Sequence, residues 1–192
     1  MAKIGVIIGS IREGRVSDKL AKWVVSEVEK VADTELVDLK DYPLPLFSEA
    51  ISPRYNPNRN PAPEVKKWLD KMASFDGYVI VTPEYNRALP GALKNAIDSL
   101  GNEVADKPAA LVAHGSSGGA QAVASLRMVL PGVGIVSLPN ALFFTDAVGD
   151  AINDEGIIKS ELQEGPYSPQ GQLANLATTL VKYADALKTV RG

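Results

Sequence analysis

The sequence has no cysteine and a single histidine, His114, in 192 residues. Without thiols there are no disulfides, no thiolate nucleophile and no Cys-ligated zinc or iron–sulfur cluster. With one imidazole, chemistry that needs two has nothing to use, and no metal site is expected. No stretch approaches the roughly 18 to 20 consecutive apolar residues of a membrane span. Met1 to Ser10 shows no basic region followed by an apolar segment and a cleavage site, so a cytoplasmic protein is expected. Strong charge is missing too: 20 Lys and Arg against 23 Asp and Glu leave a net −3, which argues against a general nucleic-acid or anionic-membrane binder.

What is present is a repeating periodicity. Residues 3–8 (KIGVII) form a short β-branched run, and Leu20, Val24, Val28 and Val31 then recur at helical spacing within residues 16–32. The same strand-then-helix reading applies to residues 35–39 and 64–75, 77–82 and 89–100, 108–113 and 120–130, and 134–138 and 170–190. Residues 77–82 (GYVIVT) are almost wholly apolar rather than alternating, the mark of a strand covered on both faces. Five strands alternating with five helices predict one α/β domain over residues 1–192: a three-layer, doubly wound, five-stranded parallel sheet. At this length the expected strand order is 2-1-3-4-5, with a ligand crevice beyond the C-terminal ends of strands 1, 3 and 4. Residues 40–63, with six prolines, and residues 139–169 are too long for simple connections.

Three loops fall at that crevice. After strand 1, Gly9-Ser10-Ile11-Arg12-Glu13-Gly14-Arg15-Val16-Ser17 gathers hydroxyls, two arginines and a helix start, a set suited to an anion. Gly9 and Gly14 have P-loop spacing, but Arg15-Val16 replaces the Lys and Ser/Thr that a nucleoside triphosphate needs, and G-x-G-x-x-G is absent. A terminal phosphate monoester remains, held by Arg12 or Arg15 and by Ser10 and Ser17. After strand 3, Pro83 stiffens a loop in which Tyr85 offers an aromatic face and Asn86 an amide for the edge of a heteroaromatic ring. After strand 4, Gly115, Ser117 and Gly119 match the G-x-S-x-G elbow of serine hydrolases. That chemistry requires a histidine later in the chain, whereas His114 lies three residues earlier. The segment therefore reads as a glycine-rich loop that lets backbone N–H groups approach a flat ligand, with His114 structural.

With these loops in view, the chain resembles the NADPH-dependent FMN reductases of the flavodoxin-like superfamily, which include quinone, azo-dye and chromate reductases. Gly9-Ser10-x-Arg12 with Ser17 is similar to the family's phosphate loop, Pro83-Glu84-Tyr85-Asn86 to its most specific motif, and Gly115 to Gly119 to its third flavin-contacting loop. Asn153-Asp154-Glu155-Gly156 also looks like a family feature. The resemblance implies that Ser10, Arg12, Arg15, Val16 and Ser17 surround the FMN phosphate. It implies that Pro83, Glu84, Tyr85 and Asn86 lie along the isoalloxazine, with Gly115, Ser116, Ser117 and Gly118 near its pyrimidine end. It further implies NADPH or NADH as hydride donor, a small-molecule acceptor, and a homodimer or homotetramer. A flavodoxin-like one-electron carrier is the alternative, disfavoured by the arginines of the first loop and the modest charge. Arg54, Tyr55 and Arg59 are expected to cover the site or meet the extra phosphate of NADPH.

Overall fold

Strands β3 (Gly77–Pro83) and β4 (Pro108–His114) are buried at every position, as a strand with helices on both faces must be. Alternation divides their side chains between two cores. Ile4, Val6 and Ile8 of β1 (Lys3–Ile8), with Val79, Val81, Ala110 and Val112, meet Leu20, Val24 and Val28 of α1 (Ser17–Val28). The long final helix, α6 (Pro169–Arg191), adds Leu173, Leu176 and Leu180 to that side. On the other face Ile7, Tyr78, Ile80 and Leu111 pack against α2 (Pro63–Ala73) through Trp68 and Met72. There they also meet Leu93 and Ile97 of α3 (Gly91–Asp98), and Val123 and Leu126 of α4 (Ala120–Val129).

The computed structural model of the chain describes residues 1–145 and 147–191. Its sheet is all parallel, in the order β2-β1-β3-β4-β5, with β2 at Asp33–Asp38 and β5 at Val136–Phe144. This is the predicted order. From β1 the chain crosses to β2 on one side and later to β3 on the other, so the loops leaving β1 and β3 diverge and open a crevice.

The largest departure from the sequence reading is β5. It was expected over residues 134–138, before Pro139, but pairing with β4 continues to Phe144. Ser137 faces Ala109 and Ala141 faces Leu111, leaving Leu138, Pro139 and Asn140 opposite Ala110 alone. Such a bulge on an edge strand is where a proline is tolerated, because its missing N–H breaks no ladder bond that the sheet needs. A short helix, α5 (Val148–Ala151), follows within the 139–169 segment, where Asp146 lies outside the described residues. The start of α6 is tied to α1 by the Trp23 indole N–H, which donates to Gln170 Oε1 at 2.9 Å, while the ring meets Phe144 edge-on at 5.8 Å.

The proline-rich segment is anchored to α3 rather than to the crevice. Asn95 accepts from the Phe47 N–H (2.8 Å) and donates to the Pro45 carbonyl (2.9 Å). Arg59 forks onto Glu49 and donates to the Ser99 carbonyl at 2.7 Å, and Arg54 reaches Asn102 and the Gly132 carbonyl. Ser99 and Asn102 follow the C-terminus of α3, at the end of the sheet opposite the crevice. Of the expectation that Arg54, Tyr55 and Arg59 cover the site or meet the extra phosphate of NADPH, the covering of this chain's own site is corrected for the arginines, both of which brace the far end of the domain. Among the described residues, no helix is long and apolar enough to cross a membrane.

Candidate active site

Parallel pairing of β1 with β2 sets Asp38 beside Ile8, at the root of the first loop. Arg15, on that loop, forks onto the Asp38 carboxylate, with Nη1 at 2.8 Å from Oδ1 and Nη2 on Oδ2; Nη1 also donates to the Ser10 carbonyl. The Arg15 side chain is nine-tenths buried, and its Nε–H has no partner among the described residues. Burial alone would raise the Asp38 carboxyl, but the bonds from Arg15 and from the Lys40 N–H outweigh it and hold the carboxyl below its ordinary value. Asp38 carries no motif and went unnoticed in the sequence; its position at the end of a strand adjacent to β1 was the available signal.

Arg12, by contrast, is exposed, and its guanidinium bonds to no group among the described residues. Helix α1 begins at Ser17, and Val16 before it offers no capping side chain. Among the described residues, the Lys19 N–H alone in the first turn finds a side-chain acceptor, Asp18 at 3.1 Å. The remaining amides keep the partial positive charge of a helix start.

Ser17 Oγ, fully buried, lies 2.8 Å from His114 Nε2 at the end of β4. This contact argues against the hydrolase reading, because the imidazole bonds to Ser17 while Ser117 stands exposed on its turn. Burial lowers the His114 pKa from 6.5 to about 4, so the folded protein keeps the ring neutral. The unfolded chain takes up a proton near 6.5, the folded one only near 4, and stability therefore falls as pH drops between those values. The expected loss from this residue is about 2 kcal/mol between pH 7 and pH 5. Urea unfolding of wild type and His114→Gln at both pH values checks it: the variant should lose correspondingly less stability, and equal losses would refute the assignment.

The loop after β3 closes the crevice from above. Tyr85 and Ala88 exchange backbone hydrogen bonds (2.9 and 3.0 Å) across Asn86 (φ +49°) and Arg87 (φ +65°), a tight turn with both central residues left-handed. Asn adopts that region more readily than most side chains, so turn geometry gives Asn86 a reason to stand there apart from ligand contact. The Tyr85 hydroxyl meets the buried Ser10 hydroxyl at 2.7 Å, joining the first and second loops. Glu84 joins the second and third. Its N–H donates to the His114 carbonyl at 3.0 Å, and its Oε2 accepts from the Gln121 N–H at 2.9 Å, in the first turn of α4. Gly119 (φ +79°) precedes that helix, and a Cβ there would lie 2.6 Å from Ala113 Cβ and 2.9 Å from the His114 nitrogen. Only glycine lets the loop fold this tightly against β4.

Together these loops enclose a cleft of about 310 Å³. Of the residues singled out from the sequence, Arg12, Arg15, Val16 and Ser17 line it from the first loop, Pro83, Glu84 and Tyr85 from the second, and Gly115 from the third. His114 lines it as well, which the sequence reading did not assign. Ser10 lies under its wall, whereas Asn86, Ser116, Ser117 and Gly118 stand outside it.

A 2-1-3-4-5 parallel sheet whose first, third and fourth strands deliver three loops to an anion-receptive cleft is the flavodoxin-like architecture. Within that class the chain belongs to the NADPH-dependent FMN reductase family, whose model matches residues 2–149. It is 32% identical over 199 residues to an NAD(P)H-dependent FMN reductase from Nectria sp., covering 98% of both chains. It is 33% identical to a 2-hydroxy-1,4-benzoquinone reductase from Burkholderia sp., over 83% of this chain and 86% of that one. Among solved structures, the flavoenzyme NAD(P)H:(acceptor) oxidoreductase FerB from Paracoccus denitrificans superposes with a TM-score of 0.71 at 26% identity, covering 98% of each chain.

Proposed function

We propose that this protein is an FMN-dependent oxidoreductase that takes hydride from NAD(P)H and reduces a small acceptor of the free-flavin, quinone, azo or metal-oxyanion type. Family membership supports the enzyme class, and one observation carries the cofactor. The start of α1 keeps its amides largely uncapped beside Arg12, whose guanidinium has no partner among the described residues, and Ser17, whose hydroxyl bonds to His114. A phosphate monoester fits that set: it is dianionic near neutral pH, and charge-assisted bonds to it are the stronger kind. The β4–α4 loop fits a flat ring, because its glycines keep the backbone low beside Glu84 and Tyr85.

Bound there, the flavin supplies the hydride and electron chemistry that no side chain of this protein offers. The protein's part is to hold and surround it. Arg12, Ser17 and the α1 amides grip the phosphate, Arg15 and Asp38 keep the first loop in shape, and Tyr85 with Pro83 walls the ring. Leu46, Ile51 and Met128, exposed at 84, 52 and 76%, form with Phe47 an apolar surface beside α3 and α4. That surface supports assembly as a homodimer or homotetramer.

Purified protein is expected to retain FMN or to bind it when added, and anaerobic NADPH should bleach the yellow absorbance in the complex within a catalytic timescale. Bound FMN that NADPH and NADH both leave oxidised would count against the reductase reading and favour a carrier fed by another protein.

A further inference from the structure

Glu84 occupies an unusual place for a carboxylate. It lines a cleft whose other charged side chains are Arg12 and Arg15, and among the described residues no Lys, Arg or His forms an ion pair with it. Its stabilisation comes instead from the positive end of α4, through the Gln121 N–H at 2.9 Å. Gly119, at the cap position of that helix, has no side chain to do this. The acceptor therefore reaches across from the β3 loop. A backbone contact fixes it further: the Glu84 N–H bonds to the His114 carbonyl at 3.0 Å, and the absence of a side chain at Gly115, where a Cβ would lie 3.3 Å from Glu84 Cβ, lets the two loops come this close. The negative charge is thus held rigidly between the two loops that flank the proposed ring site.

We infer that Glu84 is a positioning residue that sets the redox potential of the bound flavin; the inference rests on the reading of the cleft given above. A helix N-terminus facing a flavin would favour its reduced form, which carries one more negative charge than the oxidised form, and would raise its potential. Glu84 cancels that pole with a full carboxylate charge. The flavin is thereby kept at a lower potential and is the stronger reductant toward an acceptor. The same bond holds the β3 and β4 loops in register, so charge and geometry act through one residue and must be separated by experiment.

Glu84→Gln separates them, since the Gln amide oxygen still accepts from the Gln121 N–H while the charge is gone. The urea midpoint should stay close to that of wild type, because the hydrogen bond to α4 is kept. The FMN midpoint potential, measured by anaerobic spectroelectrochemistry on the holoprotein, should rise. Equivalently, reduced FMN should bind several-fold tighter relative to oxidised FMN than it does in wild type. Glu84→Ala removes the charge and the bond together. A rise in both variants supports the inference. A rise only in Glu84→Ala shows that loop geometry, not charge, sets the potential, and overturns it. FMN held by wild type and Glu84→Gln at one potential also overturns it while leaving the flavin site intact. A wild-type chain that binds no FMN overturns the reading of the cleft itself.

Discussion

Asp38→Ala is expected to cost about 3 to 5 kcal/mol of stability, well above the cost of removing its partner with Arg15→Met. The asymmetry follows from burial. The Arg15 side chain is 8% exposed and that of Asp38 is 24% exposed. Without Asp38, a permanently charged guanidinium stays enclosed, and among the described residues it keeps the Ser10 carbonyl as its remaining acceptor while Nε has none. Without Arg15, the carboxylate keeps the Lys40 N–H at 2.9 Å and partial access to water. Removing both charges in Arg15→Met/Asp38→Ala should therefore be milder than Asp38→Ala alone. Urea unfolding of the three variants at constant m-value measures this coupling, and costs that simply add would contradict it. Acid acts in the same direction. The Asp38 carboxyl is held below its ordinary value, so its contribution is complete above about pH 4 and is lost as pH falls through the folded-state pKa.

How much of this was legible beforehand depended on whether a signal is local. The sheet was readable because strands buried on both faces are written as unbroken apolar runs such as 77–82, and because helical spacing separates them. The first loop was readable because Ser10, Arg12, Arg15 and Ser17 lie within eight residues of one another. Asp38 was not, since its meaning comes from the parallel register that sets it against Ile8. The two arginines of that loop look alike in sequence and differ in the fold: one is buried against a carboxylate and the other has no side-chain partner among the described residues. Glu84 was read as a residue along a ring, but its bond to α4 depends on left-handed glycines that bring two separate loops together. The continuation of β5 past Pro139 was hidden for a related reason, because a bulge cancels the usual meaning of a proline.

That difference between the arginines leads to the largest expected effect on ligand binding. Arg12→Ala should weaken FMN by roughly ten- to a hundredfold, the equivalent of one charge-assisted contact of about 1.5 to 3 kcal/mol. Riboflavin, which lacks the phosphate, should bind wild type and variant alike, so the ratio of the two affinities isolates the phosphate contact from any change in the ring site. Stability should not move, because the Arg12 side chain is exposed and bonds to no other group among the described residues. Arg12→Lys should recover part of the loss, since a single ammonium restores charge but not a two-pronged grip. The expected loss should also shrink at high salt, as an exposed ionic contact does. Arg15→Met provides the contrast: an arginine acting through the loop rather than on the ligand should lower FMN and riboflavin binding by similar factors, or neither. Fluorescence titration of both flavins against the three variants decides the matter. If Arg15→Met shows the FMN-selective loss and Arg12→Ala does not, the roles of the two arginines are exchanged, and the bond to Asp38 must open when the phosphate arrives.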